Sequence, residues 1–317
     1  MRPLEGVRIL DLSQAYAGPF CTMNLADHGA EVIKIERPGA GDQVRTWGPM
    51  KDGESGFHAC LNRNKYGITL DLKTEEGKEV FRRLLKTADV VCENYKVGVL
   101  EKLGFSYEAM REINPRIIYA NITGFGLQGP LAQRPCYDIV AQAMGGMMDV
   151  TGFAGGLPTK VGPAIADNYT GALLAIGILM ALYKRERTGE GGHVDVAMVD
   201  TMIHILDHFI IDYTILGEKH SRSGNNDQSI APFDSFAAKD GMFVLACGTD
   251  GMFAKLCGLM ERPDLLEDAR YATNYDRCCN YAALKPEIER WSTTRTVDEL
   301  EEAILAIGIP FGRIQDV

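Results

Sequence analysis

The sequence predicts an α/β protein: a large, doubly wound parallel-sheet domain of Rossmann-like type, followed by a smaller α+β domain. Three observations predict it. From Val7 to Leu216, short apolar runs of strand length alternate with segments of helical length and periodicity. The stretch Gly217–Asp227 is polar and rich in turn residues. Beyond Ala231, one strand-like run is followed by three helical segments. The expected division is therefore a large domain over 1–216, a linker over 217–230 and a small domain over 231–317.

Val7–Leu12 reads as a buried strand, and a loop holding Gly18 and Pro19 leads to a helix from Phe20 to His28, stopped by Gly29. Glu31–Glu36 is a second strand, ended by Pro38-Gly39; the βαβ unit so formed crosses over right-handedly. Ile68–Leu72 reads as a third strand. Glu75–Thr87 is a helix with Val80, Phe81, Leu84 and Leu85 on one face. Val90–Asn94 and Ile117–Ile122 continue the alternation. Glycines crowd the stretch from Gly124 to Gly171, interrupted by a helix starting near Tyr137. A helix follows Asp167, carrying the apolar run Ala172–Tyr183 with Gly177 inside it. Val194–Ala197 is a further strand, and Val199–Leu216 reads as one long helix. In the small domain, Met242–Cys247 is a strand, with helices near 251–260, 283–290 and 297–306. Ile309–Val317 enters another strand, so a missing C-terminal segment is expected.

With 46% hydrophobic residues, 34 glycines and 24% charged residues, the composition is that of an ordinary soluble enzyme. A net charge of −10 argues against nucleic acid or an anionic membrane as a general partner. The eight cysteines include no C-x-x-C and suit reduced thiols, so the expected location is the cytoplasm. Met1–Gly6 does not open a secretory signal, and the longest apolar run is too short to span a bilayer.

Several chemistries compete. A strand, a glycine-containing turn, a helix and then Glu36 mimic a dinucleotide site, but Gln14–Pro19 holds one glycine where three are needed. Pro19 also removes an amide. Asp200, His204 and His208 fall on one helix face at i, i+4, i+8, a spacing that suits zinc. No H-E-x-x-H and no nearby cysteine accompanies them, so histidines satisfied in helix packing or a dimer interface are expected there, and no metal. A serine nucleophile lacks its G-x-S-x-G, and Cys136 has no neighbouring base in the sequence. Arg134-Pro135-Cys136-Tyr137-Asp138 precedes a helix, leaving Tyr137 and Asp138 either as caps or facing a pocket. Asp167 stands on the small-residue loop Gly162–Gly171 at a helix mouth. Two readings remain for it: a helix cap, or a carboxylate presented to a ligand where amides converge.

The ordered set Leu4–Leu12, Ala17-Gly18-Pro19, Gly29–Arg37, Leu70–Lys73, Glu93-Asn94-Tyr95, Leu103-Gly104-Phe105, Asn114-Pro115-Arg116, Gly124-Phe125-Gly126, Tyr137-Asp138, Ala166-Asp167 and Gly189-Glu190-Gly191 resembles the class III coenzyme A transferases. The resemblance covers essentially the whole chain, and Ala231–Asp234 with Ala246–Gly248 draws it toward the acetyl-CoA:oxalate type. It implies that Asp167 is the nucleophile. It implies coenzyme A contacts at Tyr16, Ala17, Arg37, Leu70, Asp71, Leu72, Lys73, Asn94, Tyr95, Lys96, Lys102, Tyr137 and Asp138. Coenzyme A is then a substrate, with no tightly bound cofactor. The second substrate is a free carboxylic acid, for which a short dicarboxylate such as oxalate is expected. The reaction it implies passes through an aspartyl mixed anhydride and an aspartyl–CoA thioester, with Asp167 already ionised at neutral pH and Gly145-Gly146 or a small-domain loop stabilising oxyanions. An interlocked homodimer is also implied, its C-terminal segment returning to the large domain.

Departures from the pattern carry information. Formyl-CoA:oxalate enzymes resemble this chain but have glutamine where Tyr16 stands, and glycines where Gly224–Ile230 runs. Racemases of the same fold use a histidine where this chain has Tyr137, which weakens racemisation as an alternative. The absent return segment raises a rival reading, a shortened, non-catalytic acyl-CoA-binding remnant.

Overall fold

The computed structural model describes residues 2–317. They fall into two compact units, the first running up to Asp149 and including Thr159–His220, the second Val150–Pro158 with Ser221–Val317. The second unit thus takes in 150–158 and begins ten residues before Ala231.

The first unit contains β1 (Arg8–Asp11), α1 (Ala17–Asp27), β2 (Glu31–Glu36), a hairpin of β3 (Met50–Lys51) and β4 (Glu54–Ser55), α2 (Gly56–Leu61) and β5 (Lys65–Thr69). It continues with α3 (Glu75–Leu85), β6 (Val90–Glu93), α4 (Val99–Lys102), α5 (Tyr107–Ile113) and β7 (Ile118–Thr123). After these come α6 (Asp138–Met144), a single turn α7 (Met147–Val150) whose last residue already belongs to the second unit, α8 (Ile165–Thr188), β8 (Gly192–Ala197), α9 (Met198–Ile205) and α10 (Asp207–Leu216). Six strands make one parallel sheet in the order β5-β2-β1-β6-β7-β8. Both faces are covered. Ile9, Val32, Val90 and Ile118 meet α1 and α8 on one side. Leu10, Ile35, Val91 and Tyr119 meet Phe81, Leu85 and Met110 on the other. Burial on both faces is why these strands read as continuous apolar runs rather than alternating ones.

Three boundaries differ from the sequence pattern. The third strand is Lys65–Thr69, not 68–72: Glu36 pairs with Thr69 and the chain then leaves the sheet. Asp71 accepts the Lys73 N–H at 3.0 Å, an Asx turn that ends the extended run although Leu72 is buried beyond it. The helix expected over 199–216 is two helices. Asp207 takes the His208 N–H at 2.6 Å, the amide that a continuing helix would have sent to His204. Asp200 and His204 therefore lie on α9 and His208 on α10. Finally, α8 spans 24 residues, and its length and hydropathy of 1.6 suffice to cross a membrane by composition alone, which corrects the estimate from the twelve-residue run. Its inner residues Leu174, Ala175, Ile178 and Leu182 are buried, as in the core helix of a globular unit. Gly171 lets it approach α1, since a Cβ there would stand 2.5 Å from the Ala17 carbonyl oxygen.

In the second unit, β9 (Phe233–Ala237), β10 (Met242–Ala246) and β11 (Phe311–Arg313) form an antiparallel sheet in the order β11-β10-β9. Helices α11 (Asp250–Leu259), α12 (Asp264–Glu267), α13 (Asn274–Cys279), α14 (Tyr281–Ser292) and α15 (Val297–Ala306) accompany it, around a core with Phe236, Phe243, Leu256, Leu284 and Leu300. Strand β9 escapes the sequence pattern because Asp234 and Ser235 are buried polar residues. Asp234 is held by Tyr281 at 3.0 Å and Lys285 at 2.6 Å.

Candidate active site

The strand order reverses between β1 and β6, the place where open parallel sheets bind ligands beyond their carboxyl ends. A pocket of about 340 Å³ opens there. Its wall comes from the turn after β1 (Gln14 to Ala17), the turn after β6 (Asn94 to Val97) and the end of β7. The segment Arg134–Tyr137, Asp167, Gln43, Trp47, Ala132 and Met198 also line it.

A buried polar network fixes the first turn. Asp11 accepts from Ser13 N and from Ser13 Oγ, Thr22 Oγ1 at 2.7 Å and Lys65 Nζ at 3.0 Å. Lys34 Nζ donates to the Ser13 carbonyl and, at 2.9 Å, to Asp42. Asp42 in turn accepts the Ala15 N–H at 2.9 Å, holding Ala15 in the left-handed region at φ 63°. The second turn is tied to the first by a reciprocal pair: Gln14 N to Asn94 Oδ1 at 2.7 Å, and Asn94 Nδ2 to the Gln14 carbonyl at 2.8 Å. Glu93 anchors the second turn, accepting from Tyr95 N at 2.5 Å and Tyr119 Oη at 2.7 Å, while burial pushes its carboxyl up to about 7.

Asp167 is not a cap. Helix α8 begins after Ala164, whose side chain cannot accept a hydrogen bond. Asp138, on α6, does the capping from outside: its Oδ1 accepts from Ala166 N at 2.8 Å and lies 3.4 Å from Asp167 N. Asp167 is the third residue of the helix, and among the described residues nothing donates to its carboxyl. Half-buried on the pocket wall, it is pushed up to about 7 by burial and by the Asp138 carboxylate. The expectation that Asp167 is fully ionised at neutral pH is corrected accordingly. Around it, burial and the Asp167 charge raise the Tyr16 phenol, and raise the Cys136 thiol to about 11. Cys136 is thus a thiol at neutral pH, not a thiolate nucleophile.

Of the residues named from the sequence, Tyr16, Ala17, Asn94, Tyr95, Lys96, Tyr137 and Asp167 line this one pocket. Asp138 stands behind it as the cap. Arg37, Leu70, Asp71, Leu72, Lys73 and Lys102 do not line it. They follow β2, β5 and β6, so they lie along the same carboxyl edge of the sheet. Leu72 is buried. Arg37, Lys73, Lys96, Lys102 and Arg134 form no ion pair among the described residues. Gly145 and Gly146 are not in the wall, and the Gly145 N–H is spent on the Ala141 carbonyl at 2.8 Å, closing α6. Gln14, Trp47 and Arg134 are wall residues that sequence reasoning did not assign. Trp47 arrives through a 3₁₀ turn after β2 that leaves no local signal. Among the described residues no three His, Cys, Asp or Glu side chains gather as metal ligands; His204 stacks on Tyr169 at 6.0 Å instead.

The chain matches the family described as CoA-transferase family III over residues 4–317. It is 42% identical over 316 residues to the acetyl-CoA:oxalate CoA-transferase of Acetobacter aceti, covering 99% of this chain and 81% of that protein. It is 45% identical over 307 residues to the succinyl-CoA:mesaconate CoA-transferase of Haloarcula hispanica, covering 93% of this chain and 76% of that one. The crystal structure of a CaiB/BaiF family protein from Brucella suis shares its fold with a TM-score of 0.87 at 43% identity, covering 99% of this chain and 84% of that chain. A single family match along the whole chain, joined to relatives of this identity and coverage, shows that the protein is a CoA-transferase and belongs to CoA-transferase family III.

Proposed function

We propose that the protein transfers coenzyme A from acetyl-CoA or succinyl-CoA to a short dicarboxylic acid, with Asp167 as the covalent nucleophile. One observation carries this reading: the Asp167 carboxyl stands on the wall of the switch-point pocket, and no donor among the described residues is spent on it. The carboxylate attacks the thioester carbonyl, and CoA thiolate leaves, giving an acyl–aspartyl anhydride. The thiolate then attacks the aspartyl carbonyl and expels the donor acid, giving an aspartyl–CoA thioester. The acceptor carboxylate attacks that thioester, re-forming an anhydride and freeing the thiolate. Attack of the thiolate on the acceptor carbonyl releases the new thioester and restores Asp167. No general base is needed. The ionised fraction of Asp167, however, rises across neutrality.

The carboxyl edge suits the rest of the thioester. Strands stand about 4.8 Å apart, so the path from β7 to β5 runs roughly 20 Å, a length scale for an extended pantetheine and nucleotide. Arg37, Lys73 and Lys102 border that path without carboxylate partners among the described residues, which leaves their charge for phosphates. Lys96 and Arg134 in the pocket wall leave positive charge for a second carboxylate. The acceptors named in the relatives, oxalate and mesaconate, are both dicarboxylates.

The test is mass spectrometry of CoA thioesters after incubating the protein with each donor and a panel of mono- and dicarboxylates. New dicarboxyl-CoA species support the reading. Exchange confined to monocarboxylates, or none while CoA binds, overturns it. On the same assay, Arg134→Gln is expected to raise KM for the dicarboxylate about tenfold while acetyl-CoA, which has no distal carboxylate, keeps its KM within about twofold.

The active form we propose is a homodimer. Ile176, Leu179, Met180 and Tyr183 leave the outer face of α8 exposed, and α10 carries Ile211, Tyr213, Ile215 and Leu216 exposed with no residue buried. Two apolar stripes of this kind call for a second copy of the chain. Light scattering should give about 70 kDa, twice the 34.8 kDa of one chain; a mass of one chain at micromolar concentration would exclude it. With eight unpaired cysteines, a reducing compartment such as the cytoplasm is the fitting location.

A further inference from the structure

Gln142 is fully buried on α6 and is used at both ends of its amide. Its Nε2 donates to Asp138 Oδ2 at 2.7 Å, one turn earlier on the same helix. Its Oε1 accepts the Val161 N–H at 2.8 Å, from the loop that enters α8. The other oxygen of Asp138 is the one lying across the first amides of α8. A single relay therefore runs from the entering loop through Gln142 and Asp138 to the helix turn that carries Asp167. With alanine at the N-cap position, no local side chain can replace it.

We propose that Gln142 is a positioning residue for the nucleophile. Its amide locks Asp138 onto the start of α8, so that Asp167 is neither drawn into capping nor relieved of the neighbouring negative charge. This rests on the reading of Asp167 as nucleophile given above. A donor on Oδ2 leaves Asp138 one rotamer, and a buried amide satisfied at both ends is costly to rearrange. Without Gln142, Asp138 turns toward water and the α8 amides become available to Asp167 itself. Both changes favour ionisation of Asp167 at lower pH and turn its carboxylate away from the pocket. Asp138 from α6, Tyr16 just before α1 and Cys136 from the segment before α6 act on Asp167 or feel its charge, and Arg134, Tyr137, Tyr95 and Lys96 are the other charged or titratable groups of its pocket. Of these, Asp138 is the carboxylate whose charge raises Asp167, and it is the one that Gln142 holds.

The experiment compares kcat and KM of the full chain across about pH 5 to 9 for Gln142→Met, Asp138→Asn, the double variant and Asp167→Asn. Gln142→Met keeps the volume and removes both hydrogen bonds. Its kcat should fall about tenfold with KM for acetyl-CoA within about twofold, and the acid limb of kcat/KM should move down by about half a pH unit or more. In the double variant the second change should add little. A loss of stability alone would lower the active fraction and leave the limb where it was; an unmoved limb, or full additivity, overturns the inference. If Gln142→Met does not fold, Asp138→Asn decides. It keeps an acceptor for α8 but drops the charge, so it must move the limb the same way. Activity retained by Asp167→Asn would instead remove the nucleophile reading, a failure distinct from an unmoved limb beside an inactive Asp167→Asn.

Discussion

Asp167→Asn is expected to reduce CoA transfer by roughly a thousandfold or more, and at the same time to make the protein more stable above neutral pH. Asparagine keeps the shape of the side chain but offers no carboxylate to form an anhydride, so the covalent route closes. The stability effect has the opposite sign because the wild-type site is strained electrostatically. The folded-state value of Asp167 is raised to about 7 from an ordinary 3.8 by burial and by Asp138. A carboxyl raised in this way binds its proton more tightly when folded. Its stabilising contribution is complete below about pH 4 and is lost as pH climbs through about 7. The neutral amide does not titrate. The two proteins should therefore melt together near pH 4 and diverge between pH 4 and 7, the variant ending ahead by on the order of 1–2 kcal/mol after solvent screening. Calorimetry at several pH values reads this directly, and parallel melting curves at every pH would show that Asp167 carries no such strain. The same titration sets the acid limb of wild-type activity: rate rises as the pH passes through about 7 from below.

How much of this was legible in the sequence follows from what kind of signal each feature leaves. Alternation of Val7–Leu12, Glu31–Glu36, Val90–Asn94 and Ile117–Ile122 with helical segments suffices for the parallel sheet, because doubly buried strands are apolar at every position. The switch point then follows from strand order, which periodicity alone does not give. Lys65–Thr69 hides its identity because it is an edge strand that spends a lysine inward on Asp11. The split between α9 and α10 turns on one side-chain hydrogen bond from Asp207. In the site, Asp167 stood out through its small-residue loop and through resemblance. That Asp138 caps α8 did not, since the Ala166 amide it holds lies 28 positions away and the contact exists only once α6 packs on α8. Gln142 had no signal at all. A buried glutamine looks like any helix former until its partners are placed. Arg134 and Trp47 reach the pocket from segments without regular structure, where the chain path is set by tertiary contacts rather than by pattern.

The largest stability change is expected not at an apolar side chain but at Asp11, between the core residues Leu10 and Leu12. This carboxylate is fully buried at the end of β1 and meets Lys65 at 3.0 Å, with Ser13 and Thr22 completing its hydrogen bonds. Lys34, also buried, reaches Asp42 at 2.9 Å from the same cluster. Asp11→Ala leaves the Lys65 ammonium in the interior with only the Pro19 and Asn62 oxygens. Removing one partner of a buried ion pair costs about 3–5 kcal/mol, because the remaining charge has lost its compensation. Simultaneous replacement, Asp11→Ala with Lys65→Met, should recover a large part of that loss, since no orphan charge remains. Denaturant unfolding of Asp11→Ala, Lys65→Met and the double variant measures the coupling, and a double loss no smaller than that of Asp11→Ala alone would show that the pair contributes nothing specific. The pH dependence has a definite sign as well. Lys65 and Lys34 outweigh burial and hold the Asp11 carboxyl below the ordinary carboxylate range. Its contribution is present above about pH 4 and falls away as acid is added below that value. Acid should thus loosen the Leu12–Tyr16 turn, whose Ser13 and Ala15 are pinned by this network, and with it the pocket wall that faces Asp167. Activity would then be lost in two steps on acidification: a reversible one near pH 7 from Asp167, and a structural one below pH 4 from Asp11.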